Sequence, residues 1–466
     1  MLGVISNADG DFKLPGRFRA AGDVIEISCI GYLTQSVPMN QLSEGKMTLI
    51  RMKQSEEQLA EVVVKAKKMK ALTAYRIVQM AISEIPDNYP EHPYSYVAYY
   101  RDYQSKEQQY INLNEALVHV YDSGFQTNDQ LATHIRLLEY KKNTEFARDT
   151  TTEVPYDNQP ASFDKGKNKY IPNAVLSSFG GNELSILRVH DAIRNYRQPS
   201  YSFVNQFNTD FITNHFFKLQ GSVYLNATPL YCIEFESKVA AAGPLHFAKG
   251  KIYIQKNDFA IHKLEYACYN KTMKETQLMY DIQVEYARSE GRMYLNYISF
   301  NNFFKVRNER DYRVIDMVYD QRTNCFIIDV NNNPDRVSSI IKRNYHFSFD
   351  DTALELKWIE VNGKRIYVYL SEKEHARLLA GRNELGARLK MKIENLRDMD
   401  NRELDKVTLT SVHQFRELFV QKMNEKEAAP GQALFLQKDK PLSRQAMEPV
   451  AAELSSYWMN SPLKKE

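Results

Sequence analysis

The 466-residue chain carries 61 Lys and Arg against 58 Asp and Glu, a formal net charge of +3. Positive and negative residues are interspersed without a basic stripe, so nucleic acid is excluded as a partner. No window of about 18 apolar residues occurs, so no transmembrane helix is predicted. Tyr (30) and Phe (23) far outnumber Trp (2). Because such rings favour half-buried pleated surfaces, the composition indicates a mainly β protein.

Residues 1–65 are predicted to form a small all-β module, because short alternating runs are separated by turn residues. Asp9-Gly10 supplies a tight turn within residues 4–14. Further strands are predicted at residues 24–32, 34–37 and 47–52. A calcium loop around Gly10 would place Gly16 where an EF-hand needs a bidentate Glu, so the turn is the better interpretation.

Two stretches of this module resemble a known family, the carboxypeptidase-regulatory-like domain. They are Asn-Ala-Asp-Gly-Asp-Phe at residues 7–12 and Asp-Val-Ile-Glu-Ile-Ser-Cys-Ile-Gly-Tyr at residues 23–32. The resemblance implies a transthyretin-like β-sandwich, common in envelope proteins of Gram-negative gut bacteria and accessory to peptidases rather than catalytic. The family usually carries two more strands and a signal peptide upstream. We therefore expect a partial, N-terminally truncated sandwich and a periplasmic or outer-membrane-associated protein.

A linker and a helix are predicted over residues 66–93. The preceding Leu-Ala-Glu-Val-Val-Val-Lys-Ala, residues 59–66, resembles the segment after this sandwich in TonB-dependent receptors and in uncharacterised envelope proteins. It also fits a last sandwich strand followed by a charged linker. Residues 71–85 predict the helix, since apolar residues recur three and four apart and Pro86 follows. Its apolar face would be Ala74, Ile77, Val78, Ala81, Ile82 and Ile85.

Residues 94–340 predict a large antiparallel β domain, a curved sheet or half-barrel. At the level of fold alone, this is similar to the half-barrels that carry lipoproteins across the periplasm. A long surface excursion at 143–182 and a short helix around Leu184 and Ile193 interrupt it. The strand candidates are residues 94–103, 109–121, 134–141, 215–225, 230–238, 250–256, 259–269, 277–288, 292–306 and 311–330.

Residues 341–430 are predicted to hold a hairpin and a mixed, partly helical segment. The hairpin spans 354–370 with Asn362-Gly363 at its tip. Helix is predicted in part of 372–427, although Leu389, Met391 and Ile393 alternate as in a strand. Residues 431–466 are predicted to form an extended tail in which Trp458 packs onto its own protein.

No catalytic, cofactor-binding or metal-binding residue is predicted. His262, Glu265 and the distant His375 match the letters of a zinc carboxypeptidase site. Residues three apart in a strand face opposite sides, however, so His262 and Glu265 cannot share one metal ion. The acidic pairs Asp350-Asp351 and Asp398/Asp400 are interpreted as solvated turns.

The cysteines lack a C-x-x-C spacing, which argues against zinc or iron–sulfur binding. Cys232, Cys268 and Cys325 fall in predicted strands, where buried thiols are expected and a disulfide between sheet neighbours is the alternative. The sequence also lacks a His-Glu-x-x-His motif, a nucleophile elbow, a P-loop and a dinucleotide fingerprint.

The sequence thus favours a non-enzymatic envelope protein that binds an envelope protein, a glycan or a lipidic ligand. A small outer-membrane β-barrel or a TonB-receptor-related protein is an alternative, and a hydrolase of the metallocarboxypeptidase type is another. Too few residues follow Lys65 for a plug and a barrel of about 22 strands. An apolar concave sheet face would favour a lipidic ligand, whereas a flat, aromatic-studded surface would favour protein or sugar.

Overall fold

The computed structural model describes residues 3–6, 10–20, 22–43, 45–55, 72–106, 109–150, 182–198, 206–271, 276–307, 312–381, 388–406, 409–447, 456–459 and 461. The junction at 58–68 and most of the predicted excursion at 143–182 lie outside these residues. The chain divides into two compact units. Unit 1 comprises Met1–Phe304 and Val412–Glu466, and unit 2 comprises Lys305–Ser411.

The strands are β1 (Val24–Ile27), β2 (Gln35–Pro38), β3 (Tyr94–Lys106), β4 (Gln109–Asp122), β5 (His134–Lys142), β6 (His215–Leu225), β7 (Thr228–Ser237), β8 (His246–Gln255), β9 (Ile261–Lys271), β10 (Thr276–Ser289), β11 (Arg292–Arg307), β12 (Val314–Asp320), β13 (Cys325–Val330), β14 (Tyr345–Phe349), β15 (Thr352–Ala353), β16 (Leu356–Asn362), β17 (Arg365–Leu370), β18 (Leu389–Ile393) and β19 (Leu409–Asn424). The helices are α1 (Arg17–Ala20), α2 (Ala74–Ser83), α3 (Ile85–Asn88), α4 (Asp129–Ala132), α5 (Glu183–Arg188), α6 (Ile212–Asn214), α7 (Val239–Ala242), α8 (Arg336–Ser339) and α9 (Glu372–Ala380).

Unit 1 is built on a ten-stranded sheet in the order β5-β4-β3-β19-β11-β10-β9-β8-β7-β6. The register is antiparallel throughout β6 to β11, each strand pairing with the next along the chain. β5 and β6 form the two edges, so the sheet is open. The prediction of a mainly β protein with a large antiparallel sheet is confirmed. Nearly every strand predicted between residues 94 and 330 corresponds to one of the observed strands β3 to β13.

The centre of the sheet holds a strand that the sequence did not predict. The expectation that part of 372–427 is helical is confirmed by α9 at Glu372–Ala380, and residues 409–424 form β19, which lies between β3 and β11. Polar residues on a strand buried on both faces hide its alternation in the sequence. These polar side chains bond to partners on the neighbouring strands. Glu417 accepts a hydrogen bond from Arg101 of β3, and Arg416 donates one to Asn302 of β11.

Helix α2 covers one face of the sheet. The Thr73 hydroxyl accepts the Arg76 N–H at 3.2 Å and begins the helix, and Pro86 follows its end. The apolar face predicted from the sequence is buried in the core of unit 1, which confirms the helix. The sheet supplies alternate β3 residues to this core, among them Tyr94 and Tyr96.

The opposite face of the sheet is covered by chain ends. Val97, Tyr99 and Phe419 form a smaller core there, against which Tyr457 and Met459 pack. The Gln421 side chain bonds both the carbonyl and the N–H of Trp458, at 2.6 and 3.2 Å. Trp458 therefore packs onto its own protein, as predicted.

The N-terminal residues form less regular structure than predicted. β1 and β2 pair antiparallel, in agreement with two of the predicted strands. Residues 3–6, 10–16 and 47–53 contain no strand, so those strand predictions are wrong. The Gly31 N–H donates to the Tyr224 carbonyl of β6 at 2.9 Å, which places this region against an edge of the sheet. A carboxypeptidase-regulatory-like sandwich is not confirmed.

Unit 2 consists of a four-stranded sheet, β12-β13-β17-β16, a three-stranded sheet, β15-β14-β18, and helix α9. The predicted hairpin is confirmed by β16 and β17, with Gly363 at positive φ in the turn. The alternation of Leu389, Met391 and Ile393 is confirmed as β18. Buried residues of both sheets form one core.

The four cysteines are free thiols. Cys232, Cys268 and Cys325 are buried in β7, β9 and β13, as the sequence predicted, and the alternative of a disulfide is wrong.

A candidate ligand-binding cleft

A buried ion cluster fastens the segment 182–198 to the sheet of unit 1. It consists of Asp122, Asp129, Arg188, Asp191 and Arg194, each less than a tenth exposed. Arg194 holds both oxygens of Asp122 through Nε and a terminal nitrogen, each at 2.9 Å. Arg188 bonds Asp129, which begins α4. The two bonds from Arg194 to Asp122 have the bidentate fork geometry that makes Arg–carboxylate pairs strong.

The charges of the cluster nearly balance. Burial opposes ionisation of Asp122, but the Arg194 guanidinium holds the pKa of that carboxyl below its ordinary value. Asp191 has no such close cation: its oxygens accept the N–H groups of Ile193 and Arg194 and the Tyr286 hydroxyl. Burial raises the pKa of Asp191 to about 6. Two guanidinium groups therefore face three carboxyl groups, and Asp191 is the carboxyl group of the cluster whose pKa burial raises.

The residues directly after the cluster turn towards α2. The Tyr196 carbonyl accepts the Asn208 N–H at 3.0 Å, and the Arg197 carbonyl accepts the Gln206 side-chain amide at 3.0 Å. Arg197 also donates to the Gln126 side chain at 2.7 Å. These bonds fix residues 196–197 beside residues 206–208. Residues 196–197 and 206–208 therefore form one wall, which faces helix α2.

A cleft of about 360 Å³ lies between this wall and helix α2. Gln79, Ile82 and Ser83 of α2 form one side, and Pro86 of α3 continues it. The other side is formed by Tyr196, Arg197, Asn208, Thr209 and Ile212. The volume is at the lower end of the range for small-molecule sites, about 300–1,000 Å³.

Two buried polar atoms of the cleft have room for a further hydrogen bond. The Asn208 side-chain carbonyl is unpaired, and the Tyr196 hydroxyl makes no hydrogen bond of good geometry, although the Arg197 side chain interacts with it. Burial raises the pKa of Tyr196, so its hydroxyl stays neutral and able to donate. Leaving such a group unpaired costs about 1–3 kcal/mol. The cleft therefore presents one donor and one acceptor for a ligand, beside the apolar side chains of Ile82 and Ile212.

The residues matched to a zinc peptidase are engaged elsewhere. His262 lies 2.9 Å from the Gln255 side chain, and Glu265 pairs with Lys263 at 2.9 Å. In unit 2, His375 contacts the Tyr319 hydroxyl at 2.6 Å. Across the described ranges, no three His, Cys, Asp or Glu side chains are grouped so that they could hold one metal ion.

Of the residues that line the cleft, the sequence singled out only Ile82, as part of the predicted helix, and Pro86, as the residue that follows it. Tyr196, Arg197 and Asn208 flank residues 199–205, and no spacing in the sequence relates them to Gln79 or Ser83 on α2. The one available signal was the helical periodicity of residues 74–85, which located the helix but not its neighbour.

No protein-family model matches the sequence, and no curated protein matches it. Among solved structures, the chain is similar to a LolA superfamily protein from Nitrosomonas europaea, with 11% identity, a TM-score of 0.20, and coverage of 50% of this chain and 86% of that one. A DUF1329 family protein from Desulfovibrio piger gives 8% identity, a TM-score of 0.24, and coverage of 50% and 87%. At TM-scores this low, the likeness carries no conclusion about function.

Within the part of the chain that the structure describes, no helix is long and apolar enough to cross a membrane.

Proposed function

We propose that this chain is a non-enzymatic binding protein of the cell envelope that holds a small, uncharged amphipathic ligand in the cleft beside α2. The observation that carries this proposal is a cleft of ligand size with two buried polar atoms, the unpaired Asn208 Oδ1 and the Tyr196 Oη, which only the Arg197 side chain approaches. A ligand with one acceptor and one donor would satisfy both and recover their desolvation cost.

The size and lining of the cleft limit which ligands can bind there. Six of its nine lining residues are polar, and only Ile82, Pro86 and Ile212 offer apolar contact. A lipid with several long acyl chains would find too little apolar surface there. A compact molecule with a single amide or hydroxyl head and a short apolar body fits the lining better.

The envelope location rests on the sequence resemblance of residues 7–12 and 23–32 to a module of envelope proteins. Fractionation of cells that express the native gene tests it. Recovery in the periplasmic or outer-membrane fraction supports the proposal, and recovery with cytoplasmic markers contradicts it.

Naphthaleneacetamide is a suitable probe for the cleft, because its amide offers both an acceptor and a donor on a fluorescent apolar ring. We expect saturable binding by fluorescence titration, and weaker binding of methylnaphthalene, which lacks the amide. Tyr196→Phe and Asn208→Leu should each weaken amide binding about 2- to 10-fold, the effect of one hydrogen bond. Asn208→Leu should keep its thermal stability, since the carbonyl that it removes is unpaired in the free protein.

Leu131→Ala is the control for non-specific binding, since Leu131 is a 61% exposed side chain outside the cleft. Unchanged amide affinity in Tyr196→Phe and Asn208→Leu, or equal affinity for the two naphthalenes, would contradict the proposal.

A further inference from the structure

A short part of the C-terminal tail lies on the second face of the sheet in unit 1. We call its residues 456–459 and 461 the tail segment. Tyr457 and Met459 pack against the smaller core around Phe419, and the Ser461 hydroxyl lies 2.7 Å from the Tyr99 hydroxyl. The occupant of this face is therefore visible, and it is a short stretch of polypeptide.

The sheet holds the backbone of the tail segment through one side chain. The Gln421 amide accepts the Trp458 N–H at 3.2 Å and donates to the Trp458 carbonyl at 2.6 Å. An amide that pairs with both backbone groups acts as a neighbouring strand does, so it binds an extended peptide whatever its sequence. Across the described residues, the tail segment forms no backbone-to-backbone hydrogen bond with the sheet. A competing peptide therefore has few bonds to replace.

The N-terminal region forms a slot for the Trp458 ring. The indole N–H donates to the Lys13 carbonyl at 3.2 Å, and the Phe18 ring meets the indole edge-on with centroids 5.1 Å apart. The Arg17 guanidinium lies 5.9 Å from the indole centroid. Because the slot offers a ring, a cation and a carbonyl acceptor, it selects an aromatic side chain that carries a donor.

One buried group beside the tail segment is unsatisfied. Arg101 is fully buried and bonds Glu417 through Nε, but its two terminal nitrogens have no hydrogen-bond partner among the described residues. The Phe419 ring, 4.9 Å from the guanidinium, offers only a cation–π contact. Buried donors without acceptors cost free energy. The tail segment is therefore an incomplete ligand for this face, and a peptide that supplies an acceptor would bind it better.

The neighbours of Arg101 limit which acceptor fits. Arg101 lies two residues after Tyr99 on the same face of β3, so a longer side chain in place of Ser461 can reach it. Glu417 already pairs with Arg101, and Glu115 accepts the Tyr99 hydroxyl at 2.6 Å. A further carboxylate would be repelled by these two acidic side chains, whereas the carbonyl of an Asn or Gln side chain is neutral. An amide side chain is therefore the better acceptor.

We propose that this face of the sheet is a peptide-binding site that the tail segment keeps closed in the free chain. Its ligand is an extended segment of another protein, with an aromatic residue in the Trp458 slot and an amide side chain three residues further on. The tail segment is tethered, so it competes at an effective concentration on the order of millimolar. It is therefore an autoinhibitory strap. The site shares no residue with the cleft beside α2.

Cleavage of the folded chain tests the proposal. A protease recognition sequence inserted after Met447 allows the full chain to fold before its tail is cut. We expect the cut protein to release the tail on dilution, to melt cooperatively, and to bind a fluorescein-labelled peptide of residues 456–461 saturably by anisotropy. The uncut protein should bind this peptide at least about tenfold more weakly, because the tethered tail competes.

Variants of the peptide and of the site measure the separate contacts. Trp458→Ala in the peptide should abolish binding, and Ser461→Gln in the peptide should tighten it about 2- to 10-fold, the effect of one hydrogen bond. Gln421→Leu in the cut protein should weaken binding about 5- to 100-fold, since two hydrogen bonds are lost. Met399→Ala is the matched control, because Met399 is 77% exposed and belongs to unit 2.

Four results would overturn the proposal. Equal binding of the peptide to the cut and uncut proteins, or binding to neither, would show that the tail segment does not close a peptide site. Loss of cooperative melting on cleavage would make the tail a part of the fold. Unchanged affinity of the Ser461→Gln peptide would remove Arg101 from the site. A dimer of the uncut protein in sedimentation that Gln421→Leu abolishes would assign the site to the tail of a second copy.

Discussion

At the scale of single residues, the chemistry of unit 1 is concentrated in the buried ion cluster. Asp122 and Asp129 pair with the two guanidinium groups of the cluster, whereas Asp191 forms no such ion pair. A buried charge without a close partner destabilises the fold, whereas a paired charge does so much less. Asp191 is therefore the group through which pH acts most directly on the segment that forms the cleft wall.

Stability should fall as pH rises through about 6. Burial raises the pKa of Asp191 to about 6, above the value of about 3.9 expected in the unfolded chain. The folded state therefore binds the proton more tightly, and its contribution is complete below the unfolded pKa and lost above pH 6. The loss is up to about 3 kcal/mol, at 1.36 kcal/mol for each pKa unit.

Urea unfolding between pH 4 and pH 8 measures this effect. Asp191→Asn should flatten the dependence between about pH 4 and pH 6 and raise stability at pH 8. Glu183 is the matched comparison, because burial raises its pKa to about 7 and Glu183→Gln should remove a separate component there. The same pH dependence in wild type and Asp191→Asn would show that Asp191 is ionised at little cost.

The residues of the cleft could not be predicted from the sequence for a physical reason. Asn208 matters because its buried carbonyl has no partner, and a missing partner is a property of packing, not of composition. His262 and Glu265 show the opposite case. Because they are three residues apart in a strand, the sequence already predicted that they lie on opposite faces. In the structure, His262 bonds Gln255 and Glu265 pairs with Lys263.

At the scale of elements, strands with clear alternation and turn residues at both ends could be predicted. β8 and β9 belong to this group, with Asn257-Asp258 between them. β19 could not, because a central strand is buried on both faces and Gln414, Arg416 and Glu417 give it a polar sequence. Side chains of β3 and β11 hydrogen-bond these buried polar groups, and both strands are far from β19 in the sequence.

Gly250 shows how closely neighbouring strands pack. A Cβ added there would lie 1.8 Å from the Glu265 carbonyl oxygen and 2.6 Å from the Phe235 ring. We expect Gly250→Ala to lower the free energy of unfolding by about 1–3 kcal/mol or more, as overpacking does. Gly431→Ala is the control, since nothing lies within 4 Å of its added Cβ. Equal denaturation midpoints for the two variants would contradict this packing.

At the scale of the whole molecule, unit 2 is an insertion between two adjacent strands of unit 1. β11 enters unit 2 at Lys305, and β19 returns from it beside β11 in the sheet. The domain boundaries at 65, 93, 340 and 430 remain predictions. The two compact units follow contacts between strands far apart in sequence, which a single sequence does not reveal.

Excision tests this arrangement. Because β11 and β19 are neighbouring antiparallel strands, residues 308–408 can be replaced by a short Asn-Gly turn. We expect the shortened chain to unfold cooperatively and to keep its affinity for naphthaleneacetamide, since every residue of the cleft belongs to unit 1. A chain that ends at residue 406 lacks β19 and should fail to fold. Cooperative unfolding of that truncated chain would contradict the central place of β19.

We expect the cleft beside α2 to be occupied by a small molecule in the cell. Native mass spectrometry of the protein released from the envelope fraction without detergent measures this occupancy, with wild type compared to Ser83→Phe. Ser83 is an exposed cleft residue on α2, and a phenyl ring there fills the cleft without disturbing the core. We predict a bound small molecule on wild type that is absent from an equally stable Ser83→Phe. A wild-type protein without a bound molecule, or equal occupancy of both proteins, would contradict the claim.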